Sequence, residues 1–202
     1  MPAPPTETKK ILRDDALARR DALDPEWRAA ASLAMADAAE RIAVAPGTIV
    51  SGFLPIRSEI DLRPLMAALA RGGARLCLPV VLDRATIVFR EYRPGMALVG
   101  TGFGTSGPGA EAQVLDPAVM LTPLAAFDAA GNRIGYGAGH YDRAIARLHA
   151  KGMAPRLIGV AFDCQRVDAV PAEAHDVRLG EALSESGLRR FPLDRFSVSR
   201  KH

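Results

Sequence analysis

The stretch Asn132 to Arg143 reads Asn-Arg-Ile-Gly-Tyr-Gly-Ala-Gly-His-Tyr-Asp-Arg. Three alternating glycines, Gly135, Gly137 and Gly139, run straight into a helix-forming segment, Tyr141 to His149, with Asp142 in its first turn. The chain must pass here through a loop open to backbone conformations that other residues avoid, and it must leave that loop as a helix. A backbone without Cβ atoms admits close approach of a ligand, and the free N–H groups of a helix start favour an anion. Two familiar phosphate loops are excluded by spacing. A Walker A loop ends in Gly-Lys-Ser/Thr, whereas Gly139 is followed by His140 and Tyr141. A dinucleotide fingerprint is spaced G-x-G-x-x-G at the start of a βαβ unit, whereas this loop is G-x-G-x-G deep in the C-terminal half. Phosphate charge here has to be met by Arg133 or by residues remote in sequence. Taken alone, the glycines also suit a bland strand-to-helix turn.

Around this loop the chain alternates helical and apolar strand-like segments. Thr6 to Leu23 is a helix with Leu12, Ala16 and Leu23 at helical spacing and with Lys9, Arg13 and Arg20 on a common face, read from spacing alone as a solvated basic face or a binding face. Asp24-Pro25 caps a second helix that carries Trp27, Ala31, Ala34, Ala38 and Ile42 inward. Thr48 to Leu54 is a short buried strand, and Ser58 with Asp61 forms a capping-box-like start to a helix that ends at Gly72-Gly73. Arg75 to Val81 and Thr86 to Tyr92 form a hairpin through Asp83-Arg84; Met96 to Gln113 is a long irregular segment. Pro117 to Pro123 and Arg156 to Phe162 are further strands. This pattern predicts a three-layer α/β/α sandwich with a mixed or mostly parallel sheet. One domain is expected over 1–202, with helices at about 6–43 packed on an α/β core at 48–190.

From Leu121 the chain reads Leu-Thr-Pro-Leu-Ala-Ala-Phe-Asp-Ala-Ala-Gly-Asn-Arg-Ile-Gly-Tyr-Gly-Ala-Gly-His-Tyr-Asp-Arg, which resembles the signature of the 5-formyltetrahydrofolate cyclo-ligase, or methenyltetrahydrofolate synthetase, family. The resemblance extends from Lys9 to about Asp176, with distinct motifs in order. It implies a fold of the sugar-phosphate isomerase and CoA-transferase-like (NagB/RpiA) group, and ATP-dependent, magnesium-dependent ring closure of 5-formyltetrahydrofolate. Carried over residue by residue, it implies that Lys9 and Arg13 contact nucleotide phosphate. It adds a nucleotide loop of Arg133, Ile134, Gly135, Tyr136, Gly137, Ala138, Gly139, His140 and Tyr141. Arg133 and Tyr141 are its catalytic candidates, Glu59, Phe103, Tyr136 and His140 line the folate side, and Asp142 and Asp176 hold magnesium. The chain departs from the family where Tyr-Tyr often precedes the aspartate and a basic residue stands between the last two glycines. Here these are His140-Tyr141 and Ala138, with Tyr136 where an arginine can occur, and the differences bear on folate affinity.

Two other functions are open. One is a sibling ATP-dependent enzyme acting on another N-formyl or pterin-like substrate. The other is a nucleic-acid-binding module, which the net charge of +3 and the basic first helix would suit, although the basic residues are otherwise dispersed and lack interleaved aromatics. Met1 to Thr8 is proline-rich without an apolar run, and no later segment has the apolar length of a membrane span, so a cytoplasmic protein without membrane partners is expected. Cys77 and Cys164 lie far apart in apolar runs and read as reduced core thiols.

Overall fold

Side chains alternate between two buried faces along the central strands, and that alternation sets the layers. The computed structural model describes residues 5–101, 104–173 and 176–192. In order come α1 (Pro5–Asp21), α2 (Pro25–Ala34), a 3-10 turn (Met35–Ala38), α3 (Ala39–Ile42), β1 (Ile49–Ser51), α4 (Arg63–Arg71), β2 (Arg75–Val81) and β3 (Ile87–Tyr92). The short strands β4 (Val99–Gly100), β5 (Ser106–Gly107) and β6 (Val114–Leu115) precede β7 (Val119–Pro123), β8 (Ala126–Phe127) and β9 (Arg133–Ile134). The chain continues through α5 (His140–Ala150), β10 (Arg156–Val160), a 3-10 turn (Asp163–Gln165), β11 (Glu181–Ser184) and β12 (Gly187–Arg190).

Leu76, Leu78, Val119, Leu121, Ile158 and Val160 face a core completed by α2, the Met35–Ala38 turn and α4. Cys77, Met120 and Leu157 face the opposite core, where α5 contributes Ala144, Ile145 and Leu148. Helices thus cover both faces of one eight-stranded sheet, ordered β12-β11-β10-β7-β1-β2-β3-β6. Its middle, β11-β10-β7-β1-β2, is parallel, while β12, β3 and β6 pair antiparallel at the edges. This is the mixed, mostly parallel α/β sheet expected from the sequence.

The order reverses between β1 and β7. From β1 the chain winds outward through β2 and β3, then returns to β7 on the other side and winds out through β10. The loops leaving the carboxyl ends of β1 and β7 therefore open onto a switch-point crevice, where open α/β sheets bind ligands. The first of these loops carries Glu59; the second leads through the β8–β9 hairpin to the glycine loop.

Local departures from expectation have identifiable causes. Asp24 caps α2 as expected, accepting from the Trp27 amide at 2.9 Å. The helix then tightens into a 3-10 turn, and three residues per turn move the inward position from Ala34 to Met35, while Ala31, Ala38 and Ile42 are buried as expected. Trp27 is 42% exposed and lies against Phe162 instead of entering the core. Strand β1 is shorter than the expected Thr48–Leu54. Helix α4 starts at Arg63 with no side-chain cap, because the Ser58 hydroxyl is engaged elsewhere and Asp61 accepts from the Arg63 amide at 2.9 Å. Helix α1 packs on β8 and the Asp163–Gln165 turn, through Ala16 with Ala126, Ile134 and Val170.

Strand β11 is fastened to the helical layer by one carboxylate. Glu181 is 7% exposed and meets Arg156 at 2.5 Å and Arg190 at 3.2 Å, and the Arg156 guanidinium also donates to the Ile42 carbonyl. Burial would raise the Glu181 pKa, but the two guanidiniums outweigh it and hold the carboxyl below its usual range. A lowered folded-state pKa adds stability that is present above the unfolded value and lost as pH falls through the folded one. E181Q is expected to lose about 2 kcal/mol at pH 7 in urea unfolding, as for hydrogen bonds to charged groups, with the gap from wild type closing below the ordinary glutamate pKa.

Candidate active site

Four residues of α1 at i, i+4, i+7 and i+11, namely Lys9, Arg13, Ala16 and Arg20, form one stripe along the helix. This stripe is the packed face. Ala16 is fully buried and Arg20 is 3% exposed. The basic face is therefore not a solvated one.

Each cation of the stripe has a distinct partner. Lys9 Nζ lies 2.7 Å from Asp176 Oδ2 and 2.7 Å from Glu173 Oε2, whereas Lys10 is exposed. Burial alone would lower the Lys9 pKa, but the hydrogen bonds and charges of Asp176 and Glu173 prevail and raise it. Arg13 Nε donates to the Gly135 carbonyl at 2.8 Å. Arg20 Nε donates to Ser58 Oγ at 2.9 Å, and its Nη1 donates to the Tyr136 hydroxyl at 2.6 Å.

The glycine loop is prepared by the hairpin before it. Asp128, 3% exposed, accepts from the Ala130 and Asn132 amides through Oδ1 and from Asn132 Nδ2 and the Val170 amide through Oδ2, all within 3.0 Å. Both of its oxygens are committed, so the β8–β9 turn has one shape. The Ile134 side chain joins the Ala16 cluster and offers nothing to the loop surface. Residues 135–138 are then exposed up to Gly139, which precedes α5 in the left-handed region at φ 64°. Gly137 has φ 100°, so these two glycines are required by the backbone itself. Gly135 has an ordinary φ, and a Cβ there would meet open space, which leaves room for close approach from outside the chain. At its far end the loop is tied by Arg143, which donates to the Ala138 carbonyl at 2.6 Å and to Ala85 at 2.7 Å.

Arg133 ties together the two segments whose carboxylates, Asp142 and Asp176, the resemblance assigns to metal. Its Nη2 lies 2.5 Å from Asp142 Oδ1, and its Nη1 donates to the carbonyl of Val177, the residue after Asp176. Among the described residues no cluster of three or more His, Cys, Asp and Glu side chains is arranged to hold a metal. Two carboxylates still suit magnesium, which is commonly bound by one or two of them with substrate phosphates and water completing the shell.

Glu59 lies half-buried across the crevice. Its carboxylate accepts from the Ile56 amide at 2.9 Å, and the loop turns at Arg57 with φ 57°. Burial pushes the Glu59 pKa up, against the opposing pull of Tyr136, Ile56 and the Arg20 charge. The Tyr136 ring is 45% exposed while its hydroxyl is turned inward between Arg20 and Glu59. Tyr141 packs edge-on to Phe89, and its hydroxyl is buried with no hydrogen-bond partner among the described residues; the same is true of His140 Nε2. Burial and the neighbouring Glu59, Cys77 and Tyr136 raise the Tyr141 pKa, so its hydroxyl keeps its proton and is available as a hydrogen-bond donor.

Lys9 and Arg13 on α1, Arg133 and Tyr136 in or beside the glycine loop, His140, Tyr141 and Asp142 at the start of α5, Glu59 after β1 and Asp176 before β11 thus lie on elements that meet around the glycine loop. Phe103 lies outside the described residues. Arg20 and Asp128 were not selected from sequence as site residues. Arg20 had been placed on the face shared with Lys9 and Arg13, and Asp128 opens an Asp-Ala-Ala-Gly turn, so both carried a readable signal.

Comparison with known proteins points the same way. The profile of the 5-formyltetrahydrofolate cyclo-ligase family matches residues 5–185. The Escherichia coli (strain K12) 5-formyltetrahydrofolate cyclo-ligase is 33% identical over 178 residues, covering 83% of this chain and 95% of that protein. The Mycolicibacterium smegmatis enzyme of the same name is 35% identical over 147 residues, covering 68% and 74%. The solution structure of Aquifex aeolicus 5,10-methenyltetrahydrofolate synthetase superposes with a TM-score of 0.74 at 26% identity over 96% of both chains. A Mycoplasma pneumoniae 5,10-methenyltetrahydrofolate synthetase shares the fold, with a TM-score of 0.66 at 22% identity over 85% of this chain and 94% of that one.

The hairpin analysis makes a prediction of its own. D128A strands buried donors and is expected to cost about 3 kcal/mol in denaturant unfolding, with faster hydrogen exchange at the Ala130, Asn132 and Val170 amides.

Proposed function

The chain belongs to the 5-formyltetrahydrofolate cyclo-ligase family, and on that premise we propose that it uses ATP to close 5-formyltetrahydrofolate to 5,10-methenyltetrahydrofolate, releasing ADP and phosphate. A formamide carbonyl is a poor electrophile and its oxygen a poor leaving group. Transfer of the γ-phosphoryl group to the formyl oxygen removes both obstacles, giving an imidate-like phosphate. N10 then attacks the formyl carbon and gives up its proton to water, and the C–O bond breaks as phosphate leaves with its bonding pair. No protein nucleophile is required, only positioning and charge neutralisation.

The observation that carries this reading is the docking of the Lys9–Arg13 stripe against an exposed glycine loop at a helix start, with Arg133 and two carboxylates beside it. Lys9, Arg13 and Arg133 neutralise the polyphosphate, and the amides of the loop from Gly135 to Gly139 donate to it. Asp142 and Asp176 would hold magnesium together with the phosphates, where the ion would offset the negative charge that develops on the β–γ bridging oxygen as it leaves with ADP. Arg133 steadies the phosphoryl group in flight. Tyr141, kept protonated by burial, donates its unshared hydroxyl to the formyl side. Glu59 orients the pterin through its ring N–H groups, and His140 and Tyr136 close the pocket around it.

The inward orientation of Lys9, Arg13 and Arg20 speaks against the nucleic-acid reading, because a phosphate-backbone contact needs an outward basic surface. Among the described residues no helix is long and apolar enough to cross a membrane. Both cysteines are free thiols, which suits a reducing compartment, and the cytoplasm is the place we assign.

Mixing purified protein with 5-formyltetrahydrofolate is expected to give the near-ultraviolet band of the methenyl product only when MgATP is present. Nucleotide binding without that band would favour another N-formyl or pterin-like substrate. D142N is expected to lower kcat roughly hundredfold through misplaced phosphates. E59Q is expected to raise KM for folate more than KM for ATP, and equal changes in both would remove Glu59 from the pterin side.

A further inference from the structure

Arg20 is 3% exposed, and burying a guanidinium costs several kcal/mol unless its partners are well placed. Its carboxylate neighbour does not supply that compensation. Asp21 lies 3.4 Å away with its side chain 52% exposed, and Asp21 also accepts from Ser58. The closer contacts are two neutral hydroxyls, Ser58 at 2.9 Å and Tyr136 at 2.6 Å, and the guanidinium also lies 5.9 Å from the centre of the Tyr136 ring. Each hydroxyl is lent by a different ligand loop. Ser58 immediately precedes Glu59, and Tyr136 stands between Gly135 and Gly137. Glu59 lies on the far side of the Tyr136 hydroxyl, close enough for the two groups to influence each other electrostatically.

We propose that Arg20 is a positioning residue that couples the two halves of the site, holding the glycine loop and the Glu59 loop on one rigid fork so that filling either loop fixes the other. The inference rests on the proposed reading of the crevice as an ATP and folate site. Its physical basis is the pair of hydrogen bonds that one guanidinium makes, to Tyr136 in the glycine loop and to Ser58 beside Glu59, so that a shift of either loop is felt by the other. When phosphate settles the glycine loop, the Tyr136 hydroxyl is fixed and Glu59 is presented with one oxygen already engaged. Through Ser58 the same guanidinium fixes the backbone from which Glu59 projects. A planar fork with several donors can hold both hydroxyls at once, which an ammonium group cannot do in the same geometry. The two ligands then bind cooperatively, and the coupling is reciprocal.

The test is calorimetric, on the full chain. The dissociation constant of 5-formyltetrahydrofolate is measured with and without a saturating non-hydrolysable ATP analogue and magnesium, and that of the analogue with and without folate. Wild type is expected to show the same tightening, at least about fivefold, in both directions. Y136F removes only a hydroxyl from a half-exposed ring, and R20K keeps the charge but not the fork; in each the factor is expected to fall below about twofold. Loss of a merely structural contact would weaken either ligand alone without changing the ratio. Binding of both ligands to wild type without coupling, or wild-type coupling in Y136F, would overturn the proposal. Failure of wild type to bind either ligand would instead overturn the functional reading on which it rests.

Discussion

The site depends on the seating of one helical stripe against loops that the sheet delivers. Lys9, Arg13, Ala16 and Arg20 repeat at 4, 3 and 4 residues, so three cations and one methyl group share a face. The apolar part of that contact is small, with Ala16 meeting Ala126, Ile134 and Val170. The polar part gives it direction. Arg13 holds a carbonyl of the glycine loop, Arg20 holds the hydroxyls of two loops, and Lys9 holds the carboxylates of the segment before β11. A helix that packed only by hydrophobic contact would be free to slide along its axis. This one has its register fixed by three cations whose partners lie on three segments, the glycine loop, the loop at Ser58 and the stretch before β11.

The sheet makes that seating possible through its strand order. Because the chain winds outward on both sides of the β1–β7 pair, the loops after these strands emerge side by side although they are some seventy residues apart in sequence. Arg20 can then reach Ser58 and Tyr136 from one position. The β8–β9 hairpin, braced by Asp128, lifts the glycine loop from the end of β7 towards α1. Arg143 closes the frame from the opposite side by tying Ala138 to the β2–β3 turn at Ala85.

How much of this was legible in the sequence follows from the range of each signal. The strands and the β2–β3 hairpin were readable because alternating or continuous apolar runs report burial locally. The start of α5 was readable because glycines at 137 and 139 answer a local demand on φ. The break in the second helix was not, since a tightening from α to 3-10 geometry after Ala34 depends on packing against α4 and not on propensity. Ser58 was misread as a helix cap for a similar reason. Its hydroxyl has a choice between local amides and a guanidinium thirty-eight residues away, and only the fold brings Arg20 to it. Lys9 and Arg13 were picked out by resemblance; their spacing alone did not distinguish a solvated face from a packed one.

The pairing of cations with carboxylates has a further consequence for an anionic substrate. Lys9 is engaged by Asp176 and Glu173, and Arg133 by Asp142, so at these two cations a polyphosphate would have to displace carboxylates. Under the proposed reading, a nucleotide arriving alone would leave Asp142 and Asp176 facing its phosphates, a like-charge arrangement that costs free energy at short range. Arriving with a divalent cation, it gives those two carboxylates a new partner as it takes their old ones. Such an exchange favours the metal-bound nucleotide over the free one by differential repulsion, in addition to any direct attraction. Specificity for the complexed form is then a property of Lys9 and Arg133 being already paired.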